Sequence, residues 1–145
     1  MKGKYTEADL AYIAGIIDGE GYIGLNKTFT ADGRPGYNLC LVIANTDARL
    51  AHWLVGHIGG RIIIDEKKRS SVWKPCYCWN LCGMEASNLL RFVQPFSVIK
   101  SEQIDLALQF ATLGFYNHGG VPTNVMEQRD VLTDAMHILN QKGRR

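Results

Sequence analysis

Apolar and polar positions along the 145-residue chain switch between helical and strand periods. Leu10, Ile13 and Ile17 recur at helical spacing behind Thr6. With Asp9 three residues after that threonine, the pattern predicts a capped helix from about Glu7 to Ile17. The acid and glycine run "DGEG" then reads as a turn. "GYIGLNKTF" alternates as a strand, "TADGRPG" is turn chemistry, and "YNLCLVIAN" closes a hairpin. Thr46 or Asp47 caps a second helix in which Leu50, Trp53, Leu54 and Ile58 share a face, and Gly59-Gly60 stops it. The order repeats in "RIIIDEKKRSSVWKPCYCWNL", a second hairpin with its turn near Lys68 to Ser71. "EASNLLRFVQPF" is helical to Gln94, where Pro95 ends it. "SEQIDLALQFATLGF" is a further amphipathic helix, and beyond the loop "NHGGVPTN" a last helix spans about Val125 to Gln141.

The resulting order, α-β-β-α-β-β-α-α with an additional C-terminal helix, predicts an α+β fold: a four-stranded antiparallel sheet with helices on one face. The length suits one domain over residues 1–145, and no linker or low-complexity stretch divides it. A sheet covered on one side alternates apolar-in with polar-out. If Ile23, Leu25, Leu39, Leu41 and Ile43 face the helices, then Gly24, Asn26, Thr28, Asn38, Cys40, Val42 and Ala44 face outward. That outward set is small and uncrowded, and suits a large ridged partner such as a duplex groove.

The first helix carries two stripes. Leu10, Ile13 and Ile17 are bulky and should pack on the sheet; Ala11, Ala14, Gly15 and Asp18 form a small stripe that lets another helix approach closely. No second helix in the chain has a matching stripe, which favours pairing of two copies through this one. The helix also ends on Asp18 and Glu20, although a helix C-terminus carries partial negative charge and favours bases. Under a two-fold axis two Glu20 carboxylates would meet, and a divalent cation is the natural bridge between them.

Composition narrows the remaining choices. The net charge is +2 and the isoelectric point near 8.4, which permits a nucleic-acid partner without requiring one. Arg61, Lys67, Lys68, Arg69 and Lys74 cluster in one segment, and a charge run alone is ordinarily a solvated hairpin. Cys40, Cys76, Cys78 and Cys82 lack the spacing of zinc knuckles, and positions 76, 78, 80 and 82 share one strand face, so reduced cysteines filling that face are expected. The four histidines show no metal-ligand spacing. No apolar run reaches membrane-spanning length, and the N-terminus lacks a signal-peptide core. These features predict no membrane and action in the compartment of synthesis, a microbial cytoplasm or an organelle matrix.

"IAGIIDGEG", Ile13 to Gly21, resembles the signature motif of the LAGLIDADG homing endonucleases. Ala14, Gly15, Ile17, Asp18 and Gly21 match directly. Ile13 and Ile16 stand for Leu, Gly19 for Ala and Glu20 for the second Asp. The element order is similar across nearly the whole chain. The resemblance implies that Glu20 is the essential carboxylate and metal ligand, that the Gly19 carbonyl helps hold the metal, and that Asp18 is structural at the helix interface. "QPFSVIK" resembles the segment that ends in the family's active-site lysine, which nominates Lys100. "ANTD" lies where the family keeps a water-positioning polar residue, which nominates Asn45. A single motif copy implies a homodimer. The Glu for Asp exchange keeps the charge and adds a methylene.

The expected activity is Mg²⁺-dependent hydrolysis of DNA phosphodiesters, giving a double-strand break in a long, roughly palindromic duplex site. No small-molecule substrate is expected. Lys100 would offset charge in the transition state. Asn26, Thr28, Arg34, Asn38 and Cys40, with Arg61, Lys67, Lys68, Arg69 and Lys74, would contact bases and phosphates. The alternative is a non-cleaving binder on the same scaffold, an RNA maturase or a DNA-binding regulator.

Overall fold

The computed structural model describes residues 4–66, 74–114 and 122–142. Its elements follow in the order α1 (Glu7–Glu20), β1 (Gly21–Phe29), β2 (Pro35–Asn45), α2 (Ala48–His57), β3 (Arg61–Asp65), β4 (Cys76–Cys82), α3 (Gly83–Val93), a 3₁₀ turn (Gln94–Phe96), α4 (Ser101–Thr112) and α5 (Thr123–Lys142). All strand pairs are antiparallel, in the spatial order β1-β2-β4-β3. The expected turn near Lys68 to Ser71 lies outside the described residues, as does most of the loop before α5.

Thr6 caps α1 as the sequence predicts: its hydroxyl accepts the Asp9 N–H at 3.0 Å while the Asp9 carboxylate accepts the Thr6 N–H at 3.2 Å. The helix then runs three residues further than its apolar pattern indicated. Asp18, Gly19 and Glu20 are its last turn rather than a turn after it. Gly21 explains the abrupt exit, because a Cβ there would lie 2.8 Å from the Cα and the carbonyl oxygen of Ile17. Only glycine lets the chain fold straight from the helix into β1 against the helix's own final turn.

The stop at Pro95 lies where the sequence places it to within one residue, since α3 ends at Val93. Pro95 itself sits inside the 3₁₀ turn that carries the chain from α3 toward α4.

The alternation in the hairpins sorts the sheet into two chemistries. Ile23, Leu25, Leu39, Leu41 and Trp79 are fully buried on the helix side, with Ile43 and Leu81 nearly so. They meet Ile13, Ala14 and Ile17 of α1, Leu54 of α2, Leu90 and Val93 of α3, and Ile104 and Phe110 of α4 in one core. The indole N–H of Trp79 donates to the Gly59 carbonyl at 2.8 Å, so its polar atom is satisfied inside that core. At the far end of β1, α5 docks through Asp130, which takes hydrogen bonds from Lys27 at 2.9 Å and Tyr37 at 2.7 Å. The helices cover one face of the sheet and leave the other open.

Candidate active site and nucleic-acid interface

The two acids at the end of α1 occupy different surroundings. Asp18 points inward, to the segment between the 3₁₀ turn and α4. Its Oδ1 accepts the Ser97 hydroxyl at 2.8 Å and the Lys100 N–H at 3.0 Å, and its Oδ2 accepts the Val98 N–H at 2.8 Å. Burial pushes this carboxyl up, but the donors from Val98, Lys100, Ser97 and Ile99 outweigh it and hold it below the usual carboxylate value. The unfavourable helix terminus is thus compensated within the chain. Asp18 anchors the backbone of Lys100, the residue that caps α4 and whose carbonyl accepts the Ile104 N–H at 2.9 Å.

Glu20, two residues on, is exposed at the edge of the molecule. Its Oε2 accepts one hydrogen bond, from Nδ2 of Asn45 at 3.1 Å. Asn45 lies at the end of β2 on the helix side of the sheet, where the strand outruns the core. Its Oδ1 accepts the Asp47 N–H at 2.8 Å, and that contact orients the amide so that its NH₂ faces Glu20. Asp47 in turn caps α2 through the Arg49 N–H at 3.0 Å, and Arg49 draws its carboxyl down to about 2. Glu20, Asn45 and Lys100, nominated on separate stretches of sequence, are thereby fixed around one helix end. Among the described residues the Lys100 ammonium makes no ion pair.

Gly19 sits in the last turn of α1, where carbonyls have no partner within the helix. With Ala11, Tyr12, Gly15, Ile16, Glu20, Asn45 and Leu50 it lines an open groove of about 550 Å³ along α1. This corrects the small stripe read from sequence. Ala14 is fully buried in the chain's own core and Asp18 is turned toward Ser97, so neither is free for a second helix. The open small stripe is Ala11, Gly15 and Gly19, one every four residues, and a Cβ at Gly15 or Gly19 would meet nothing within 4 Å. Nothing in the described residues of one chain requires glycine at either position.

The open face of the sheet holds cross-strand rows set by the register. Asn26 lies opposite Asn38; Gly24, Cys40 and Cys82 form the next row; then Tyr22, Val42, Asn80 and Arg61; then Ala44, Cys78 and Ile63. Asn26, Thr28, Asn38 and Arg61 are exposed here, so hydrogen-bonding groups are spaced over a surface without large core side chains. Lys74 is exposed just before β4. Arg34 stands apart in the β1–β2 turn, where it pairs with Asp32 at 2.9 Å. Lys67, Lys68 and Arg69 lie outside the described residues.

Asn80 and Tyr22 complete this face and were not singled out from sequence. The period-two spacing from Cys76 to Cys82 already placed Asn80 beside the cysteines, but only pairing with β2 and β3 shows that this face looks outward. The cysteines are reduced and those of β4 share one strand face, as read from sequence, and that face is the outer one; all four are half-buried free thiols, and Cys78 and Cys82 share the outer rows with Cys40. Among the described residues no group of three or more His, Cys, Asp or Glu side chains converges to hold a metal, and no helix is long and apolar enough to cross a membrane.

Neither a family model nor a curated protein matches the sequence. Solved structures do match the fold. The archaeal intron-encoded homing endonuclease I-Vdi141I, complexed with DNA, superposes with a TM-score of 0.73 at 17% identity, over 92% of this chain and 84% of its own. The homing endonuclease I-CvuI, in complex with its target, gives 0.71 at 16% identity, over 91% of this chain and 82% of its own. The meganuclease I-SmaMI, bound to DNA, gives 0.73 at 16% identity, but this chain spans only 46% of it. The α-β-β-α-β-β-α arrangement and the sheet open on one side are therefore the fold of the LAGLIDADG homing endonucleases.

Proposed function

We propose that this chain is a site-specific DNA endonuclease that acts as a homodimer with a divalent cation. The observation that carries the reading is the end of α1. An exposed carboxylate, Glu20, is held by Asn45 in an open groove along α1 that Ala11, Gly15 and Gly19 also line, while Asp18 in the same turn ties down the Lys100 backbone.

Two copies packed along Ala11, Gly15 and Gly19 would bring their Glu20 carboxylates together. The described residues of one chain bring no group of three or more such ligands together, but Mg²⁺ is commonly held by one or two carboxylates with substrate phosphate and water completing its shell. The Glu20 carboxylate and Gly19 carbonyl of each copy fit such a shared site. When bound there, the cation would supply a Lewis acid for the phosphate and a lowered pKa for water.

The chain's own residues do the rest. Asn45 fixes the rotamer of Glu20 through Oε2 and leaves Oε1 free as a ligand. Lys100, positioned by Asp18, brings positive charge to the phosphate as negative charge develops on it. The outer sheet face lies along the duplex, with asparagine side chains reading base edges and Arg61 and Lys74 gripping phosphates. Two such faces related by a two-fold axis require a long and roughly palindromic site.

Purified protein incubated with Mg²⁺ and a duplex DNA library should yield double-strand breaks at one recurrent sequence, and Glu20→Gln should abolish them while retaining binding. No cleavage of any library member by the unaltered protein, together with tight binding to structured RNA, would replace this reading with that of a non-cleaving RNA partner.

A further inference from the structure

Cys40 and Cys82 face each other directly across β2 and β4, in the middle of the open sheet face. Their sulfurs are 2.7 Å apart, whereas a disulfide is about 2.05 Å. Both thiols are free and half-buried. Nothing in the core depends on them, because their row is completed by Gly24 and they lie on the side away from the helices. Forty-two positions separate them in sequence, so their apposition is a product of the β2–β4 register and not of local chain geometry.

We propose that Cys40 and Cys82 form a reversible redox site, closing to an intramolecular disulfide with low-molecular-weight disulfides as oxidant, and that bound DNA shields it. The second half rests on the assignment of the open sheet face to DNA; the first does not.

Burial and the neighbouring Cys82 push the Cys40 thiol up to about 12, with Arg61 acting weakly in the other direction. The thiolate of one cysteine of the pair attacks one sulfur of oxidised glutathione, forming a mixed disulfide and expelling one glutathione thiolate, which takes up a proton. The other thiol then gives its proton to solvent and attacks the protein sulfur of the mixed disulfide, and the second glutathione leaves as thiolate and is protonated. The protein loses two hydrogens and the oxidant gains them as two thiols.

Closure has a local consequence on the face. In the dithiol state the Asn38 side-chain NH₂ donates to the Cys40 sulfur at 3.1 Å. A disulfide sulfur is a poorer acceptor than a thiolate or thiol, so oxidation frees one of the base-reading amides while it ties β2 to β4. Cys76 and Cys78 also interact, and that contact adds to the burial that pushes the Cys78 thiol up, but they are two apart on one strand rather than directly opposed across a sheet, a less favourable geometry for a disulfide.

The test is intact mass and free-thiol titration of the folded protein in a glutathione redox buffer, with peptide mapping of the product. The expected result is a loss of two hydrogens, a fall from four free thiols to two, a Cys40–Cys82 peptide, full reversal by dithiothreitol, and a rise in Tm of several degrees. Cys40→Ala and Cys82→Ala should each block the change, and Cys76→Ala should not. Oxidation repeated with long random-sequence duplex DNA at low salt should slow at least tenfold. A folded protein that keeps four thiols, or links Cys76 to Cys78 instead, overturns the redox site. A Cys40–Cys82 disulfide that forms equally fast with DNA bound overturns only the shielding, and with it the placement of DNA on the sheet.

Discussion

Asp18 and Glu20 stand two residues apart in the same helical turn, yet one turns in to half-buried donors of its own chain and the other lies exposed at the edge. Asp18 is held by donors of its own chain, from Ser97, Val98, Ile99 and Lys100, and lies below the ordinary carboxylate value. Glu20 is exposed and receives a single amide N–H. Successive residues of a helix are rotated by about 100°, so two positions apart means nearly opposite faces. The pair shows how one short acidic motif can supply both an internal strut and an exposed carboxylate.

The contrast is open to direct attack. The largest effect expected is on Glu20: Glu20→Gln should lower Mg²⁺-dependent cleavage roughly 10³-fold, the loss typical of a key electrostatic group, with stability within about 0.5 kcal/mol of the unaltered protein. Cleavage assays beside thermal melts would check this. A large fall in Tm would mean that Glu20 is a strut after all.

Asp18→Ala should do the reverse, destabilising by about 2 kcal/mol because the Ser97, Val98 and Lys100 donors lose a charged acceptor. The same contrast has a pH signature. The folded carboxyl of Asp18 is depressed relative to about 3.9 in the unfolded chain, so its contribution is complete above that value and disappears as pH falls through the folded one. Acid melts below about pH 4 should therefore be shallower in Asp18→Asn than in the unaltered protein.

The two sides of α1 give the next comparison. Ala14→Leu should cost about 1–3 kcal/mol through overpacking of a fully buried site. Gly15→Leu meets open space, so the monomer should fold normally, and light scattering should report loss of the proposed dimer. A Gly15→Leu protein that still dimerises would move the interface away from this helix.

The smallest effects belong to the open sheet face. Asn26→Ala should change stability by less than about 0.5 kcal/mol and relax base discrimination at one position of the target by about 1–3 kcal/mol. Selection from a randomised duplex pool would detect it.

Much of this was legible from residue order. Capping at Thr6, the alternation of β1 and β2 and the Gly59-Gly60 stop are local signals, and each lies in the structure where the sequence put it. The last turn of α1 was not legible, because "DGEG" has turn composition and its helical state depends on donors 79 to 82 residues away. The small stripe was read one step off for a related reason. Ala14 and Gly15 are equally small, and only the direction of packing against the sheet decides which is covered.

Sequence alone determined the kinds of elements, their order, the alternation that gives the sheet two chemistries, and the acids, amide and lysine worth watching. Tertiary structure decided which acid faces inward, that Asn45 reaches Glu20, that Ala11, Gly15 and Gly19 form the open stripe, and that Cys40 meets Cys82. The division has a physical cause. Periodicity, caps and turns are set by interactions within a few residues, whereas a side chain's partner is set by how elements distant in sequence dock, which no local pattern encodes.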